Sequence, residues 1–165
     1  MLTLFYLAAA VAVLATLLAL TRLDAVHGLL YLIVSLLAVA LTFALLGAPF
    51  VAALEVIVYA GAIMVLFVFV VMLLNLGPRA TAAESAWLRP HTWLGPSALG
   101  VILIAEVLVM LARAGSLGRV QAGVAPQAVA LALYGPYRVG LELASFLLLA
   151  GLVGAYHLGR SGLRK

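Results

Sequence analysis

Residues 49–75 read PFVAALEVIVYAGAIMVLFVFVVMLLN, an apolar run broken only by one acid (Glu55), one phenol (Tyr59) and a small-residue step at Ala60-Gly61-Ala62. A run of this length predicts a membrane-spanning helix. At about 1.5 Å per residue it reaches roughly 40 Å, against about 30 Å of hydrocarbon, so the surplus goes into tilt, a kink or an overhang. Glu55 and Tyr59 are four apart and share one helical face. Gly61, the weakest helix former apart from proline, loosens the backbone just beyond them. A carboxyl and a phenol leading into a loosened helix inside lipid set the functional question.

The rest of the chain keeps to the same environment. Of its 165 residues, 68% are hydrophobic and 8% charged, which excludes a water-soluble globule. The length is consumed in crossing the membrane, so a single transmembrane domain over 1–165 is expected. There is no cysteine, hence no disulfide, thiolate metal site or cysteine-held iron–sulfur cluster. The net charge of +4 comes from residues in loops and at helix ends, where it sets topology and does not point to nucleic acid.

The predicted fold is all-α, with five transmembrane helices at about 2–20, 27–46, 50–75, 93–111 and 137–158. The N-terminal run lacks a basic leader and a small-residue cleavage site, so it reads as a retained first helix. Ala8, Ala12 and Thr16 recur at four-residue spacing. That row is either a close-packing face or apolar filler. Gly47-Ala48-Pro49 predicts a tight reversal, and Gly77-Pro78 a stop. The most polar connection holds Arg79, Glu84, Arg89 and His91, flanked by Trp87 and Trp93 as interfacial anchors. Within 112–136, PQAVALAL has the length of a short interfacial helix. With the N-terminus outside, Arg22, Arg79, Arg89, Arg160, Arg164 and Lys165 fall inside, against Arg113, Arg119 and Arg138 outside. Six against three predicts N-out and C-in.

Each polar residue within a span has two readings. Glu55 marks a proton or ion path, or anchors a helix end at the interface. Tyr59 joins that path, or packs with its hydroxyl on a backbone carbonyl. Glu142 handles protons, or is stabilised by the helix N-terminus and by Arg138 one turn back. Glu106, deep in VILIAEVLVM, handles protons or makes a buried hydrogen bond. His27 and His157 lie near the inner boundary, where anchoring is the better account than a bridged haem. No nucleotide, flavin, metal or catalytic motif is present, so no catalytic residue is assigned.

The strings HGLLYLIVSLLAVALTF, ALEVIVYAGAIMVLFVFVVMLLNLG, WLRPHTWLGP, LYGPY and ELASFLLLAGLVGAYHLGR, in that order, closely resemble the subunit J family of the bacterial proton-pumping NADH:quinone oxidoreductase, respiratory complex I. The mitochondrial counterpart is the sixth mitochondrially encoded core membrane subunit. The likeness runs from about Thr21 to Arg160. It implies a subunit of the bacterial inner membrane, beside subunits H, A and K and in contact with membrane lipid. It implies no redox centre in this chain, with FMN, iron–sulfur clusters and quinone sites on partner subunits. It further implies a π-bulge in the third helix, carried over to Tyr59–Val65 with Tyr59 and Gly61 as markers. Relaxing such a bulge to α-helix turns the residues beyond it by roughly 100°. Val65, Leu66 and Phe67 would then swing in or out of a hydrated proton path. The family motifs do not include Glu106. Two competing readings are a structural or assembly subunit without gating, and a small self-contained transporter. The second would need its own polar pore or inverted repeats, and neither is visible.

Overall fold

In the computed structural model, residues 1–74, 90–116 and 123–161 are described. Helices account for nearly all of them, and they contain no strand. Helix α1 is Leu2–Thr21 and α2 is Ala25–Leu45. The third rod, α3, has three consecutive pieces: Pro49–Leu54, a π-helical piece Glu55–Ile63, and Met64–Leu74. Helix α4 is Pro90–Ser116, α5 is Pro126–Tyr134 and α6 is Arg138–Ser161. Five of these are long and apolar enough to cross a membrane, as the sequence predicts; α5 is the short extra helix expected at PQAVALAL.

The boundaries differ from expectation where a cap decides them. Helix α2 begins at Ala25 and not His27, because the Asp24 side chain accepts the Val26 N–H at 2.9 Å and starts the helix early. The chain reverses after α2 through Gly47 at φ 83°, a conformation that suits glycine, and Pro49 opens α3. Helix α4 extends beyond both predicted ends, from 93–111 to Pro90–Ser116. The expected connection with Arg79, Glu84, Trp87 and Arg89, the end of the third span at Asn75, and Arg119, Arg164 and Lys165 lie outside the described residues.

Packing divides the chain into two units, Met1–Gly123 and Val124–Lys165. In the first, α2 is the common support: α1 and α3 lie along it, and α4 rests on α1 and α2. The seam is built from small residues. Ala8, Ala15 and Ala38 have no exposed surface, and Val11, Ala12, Val34, Leu41 and Leu103 close around them. Lipid offers no hydrophobic drive to join helices, so close backbone approach and dispersion contacts hold this seam. Of the two readings of Ala8, Ala12 and Thr16, the packing face is the one realised. In the second unit α5 packs against α6.

One polar knot crosses the seam. Thr16 Oγ1 lies 2.9 Å from the Ala12 carbonyl and 2.7 Å from Ser35 Oγ, and Ser35 Oγ lies 3.0 Å from the same carbonyl. Two hydroxyl hydrogens serve three contacts, so one hydroxyl donates to the other while its neighbour donates to Ala12. Ser35→Ala removes the bond between helices and is expected to cost about 0.6–1.5 kcal/mol. Ala8→Leu, which overfills a site with no free surface, is expected to cost about 1–3 kcal/mol. Thermal unfolding in lipid nanodiscs checks the order: the alanine enlargement should be the more damaging of the two.

Candidate functional site

The site forms where α3 loses its regular hydrogen-bond ladder. Up to Glu55 the backbone is α-helical, with the Glu55 N–H directed to the Val51 carbonyl four residues back. At the other end the Met64 N–H is shared between the Gly61 carbonyl, three residues back, and the Tyr59 carbonyl, five back, where the π segment closes. The segment spans Glu55–Ile63, so the expectation of Tyr59–Val65 is corrected at both ends. The reason is the reach of the bond: a π turn goes back five residues, as from Met64 to Tyr59, so the turns that lead into the Tyr-Ala-Gly step begin well before Tyr59. Tyr59 and Gly61 fall inside it as expected, whereas Val65 lies just past it in regular helix.

Gly61 belongs there for a spatial reason. A Cβ at this position would sit 3.0 Å from the Val56 carbonyl oxygen, closer than side-chain carbons normally approach an oxygen of the backbone. The wide π turn brings that carbonyl close, and a side chain at 61 would have to push it back by a few tenths of an ångström.

Glu55 is half-buried and Tyr59 is 51% exposed, and neither makes a side-chain hydrogen bond among the described residues. Val65, Leu66 and Phe67 are all exposed, while Met64 between them and the π segment is buried. Beside the segment is an apolar cavity of about 490 Å³ between α2, α3 and α4, lined by Leu37, Leu41, Ala52, Val56, Ile104 and Val107 among others. Val56 places the π segment on its wall. The helix thus has free space on one side and no side-chain bonds tying down Glu55 or Tyr59.

The other acids lie apart from this segment. Glu106 is buried on the face of α4 that carries Leu103 and Met110. Glu142, in the second unit, is exposed and stands 3.9 Å from Arg138 one turn back, the arrangement of its structural reading.

A polar group that the sequence under-reads gathers at the α1–α2 connection. The Arg22 guanidinium donates to the Tyr31 hydroxyl at 3.3 Å and lies 5.1 Å from the centre of its ring. Asp24 caps α2 and meets His27 Nδ1 at 3.0 Å. Asp24 immediately before the apolar run that opens at Ala25 is a capping signal that could have been used; the Tyr31 contact leaves no such trace.

Comparison with known proteins adds a family to this geometry. The family described as NADH-ubiquinone/plastoquinone oxidoreductase chain 6 matches residues 3–158. The chain belongs to that family. Similar proteins include NADH-quinone oxidoreductase subunit J of Pseudomonas aeruginosa, 62% identical over 157 residues, covering 94% of this chain and 95% of the relative. The subunit J of Escherichia coli strain K12 is 50% identical over 156 residues, covering 94% and 85%. That of Buchnera aphidicola from Schizaphis graminum is 42% identical over 156 residues, covering 94% and 96%. As a family member with five membrane-length apolar helices, the chain is a multi-pass membrane protein, and its relatives are named as subunits of a multi-subunit oxidoreductase.

The Asp24 cap gives a pH signature. Burial alone would raise the Asp24 carboxyl, but hydrogen bonds from the His27 ring and the Val26 N–H, with the attraction of His27, hold it below its usual value. A group depressed in the folded state stabilises above its unfolded value and loses that contribution as pH falls through the folded one. Asp24→Ala is therefore expected to cost about 1 kcal/mol near neutrality, as for other cap losses. The gap to wild type should shrink in acid. Thermal unfolding across pH checks this, and a gap independent of pH would contradict it.

Proposed function

We propose that this chain is a membrane-arm subunit of a proton-pumping NADH:quinone oxidoreductase, and that the π segment of α3 gates a hydrated proton path, coupling quinone reduction to proton translocation. The observation that carries the reading is the π segment Glu55–Ile63 in the middle of a membrane-length apolar rod. Isolated π turns inside α-helices are energetically poor and recur at functional sites. This one has an acid and a phenol on its surface and a cavity at its side.

The mechanism follows from helix geometry. When the π turn relaxes to α, the residues beyond it turn by about 100° relative to those before. The position of buried Met64 is then taken by a neighbour, and Val65, Leu66 and Phe67 sweep along the surface of α3. Bulky apolar side chains turned into a narrow path dry it; turned away, they admit water and with it protons. Glu55, at the start of the segment, and Tyr59, within it, offer a carboxyl and a hydroxyl to such a water chain. In this reading the chain itself holds no redox centre and no catalytic residue. FMN, iron–sulfur clusters and the quinone site belong to partner subunits, and the neighbours are those resembling subunits H, A and K. The N-terminus faces outward and the C-terminus the cytoplasm, as the distribution of Lys and Arg favours.

Gly61→Leu in the assembled complex tests the gate. A side chain at 61 crowds the Val56 carbonyl and biases the rod toward regular α-helix. The expected result is normal assembly and NADH oxidation driving clearly less proton uptake per NADH, with Tyr59→Phe showing a milder loss. Intact coupling in both variants would leave the chain a structural subunit.

A further inference from the structure

Glu106 is the one described acid that the proposed gate leaves unused and that the fold buries. It is 3% exposed, and neither carboxyl oxygen has a hydrogen-bond partner among the described residues. It stands three residues after Leu103 and four before Met110, on the side of α4 that packs into the seam of Ala8, Val11, Ala12, Val34 and Ala38.

The groups that could answer a charge there are few. Helices α1 and α2, which pack against α4, contain no Lys, Arg, Asp or Glu. Their titratable side chains are Tyr6, which is exposed, His27, which is held by Asp24, and Tyr31, which receives Arg22. On α4 itself the cation is Arg113, seven residues on and about 10 Å along the axis, with interactions of its own. The hydroxyls of Thr16 and Ser35 are engaged with each other and with Ala12. A carboxylate here would be a bare charge in an apolar three-helix core inside lipid, the arrangement membrane proteins avoid.

We infer that Glu106 is a proton-binding site, occupied while α4 is packed on α1 and α2, so that proton release is coupled to a change in that packing. The step balances simply. A water-borne proton adds to one carboxylate oxygen to give the neutral acid, and the same proton leaves to water when α4 gives water access. The site lies on α4 and involves no residue of the π segment, so it stands whether or not α3 is a gate.

The test uses the assembled complex carrying Glu106→Gln, since Gln is nearly isosteric with the neutral acid and cannot ionise. The expected result is assembly at the wild-type level, together with loss of a protonated-carboxyl C=O stretching band from the infrared spectrum, identified by its shift in deuterated buffer. Failure of Glu106→Gln to assemble while Glu106→Asp assembles would overturn the inference, because it would mean that a cation from a partner subunit holds an ionised Glu106. Loss of ionised-carboxylate bands in the Gln variant, with the C=O band unchanged, would overturn it equally.

Discussion

Inside the hydrocarbon layer a backbone N–H or C=O has no water to turn to, so each must find a partner within the protein. This rule makes the chain a set of helices, and it also limits how one of them can move. A rod in lipid cannot simply melt at a hinge. It can exchange one hydrogen-bonded register for another, and the π and α ladders are two registers that both keep the backbone largely paired. The Met64 N–H, lying five residues from the Tyr59 carbonyl, marks the register in this structure. Gly61 allows it by leaving space for the Val56 carbonyl.

The surroundings of α3 complement that freedom. Helices α1 and α2 are joined by fully buried alanines and by the Thr16–Ser35 knot, a seam with little room for adjustment. Helix α3 lies along α2 with a cavity at its side, and its polar residues Glu55 and Tyr59 are free of side-chain bonds among the described residues. A firm support beside a loosened rod is what a rotation of one segment against a fixed frame requires. Much of the remaining surface is apolar, as suits contact with lipid or neighbouring subunits.

The sequence made the five spans legible because length and continuous hydropathy are properties of each helix alone. Family likeness made the π segment legible, though displaced, since the bulge is recognised by its Tyr-Ala-Gly step while the segment already begins at Glu55. Packing was harder to read. In a chain this apolar, every face of a helix resembles every other, so periodicity does not say which face meets a neighbour. Ala8 and Ala12 stand out by size, whereas nothing in the sequence marks Ser35, which takes its role from its contact with Thr16. Glu106 was visible as an acid in a span; that both of its oxygens are buried without partners among the described residues emerges only once α1 and α2 are placed against α4.

The claim that α3 moves between two ladder registers is tested most directly by resolving its backbone in the assembled membrane complex at rest and during turnover. The account predicts that in one state the Met64 N–H bonds Tyr59 O and in the other Ala60 O, with residues 65–67 turned by about 100° between them. An unchanged bond to Tyr59 in both states, with 65–67 fixed, would contradict it.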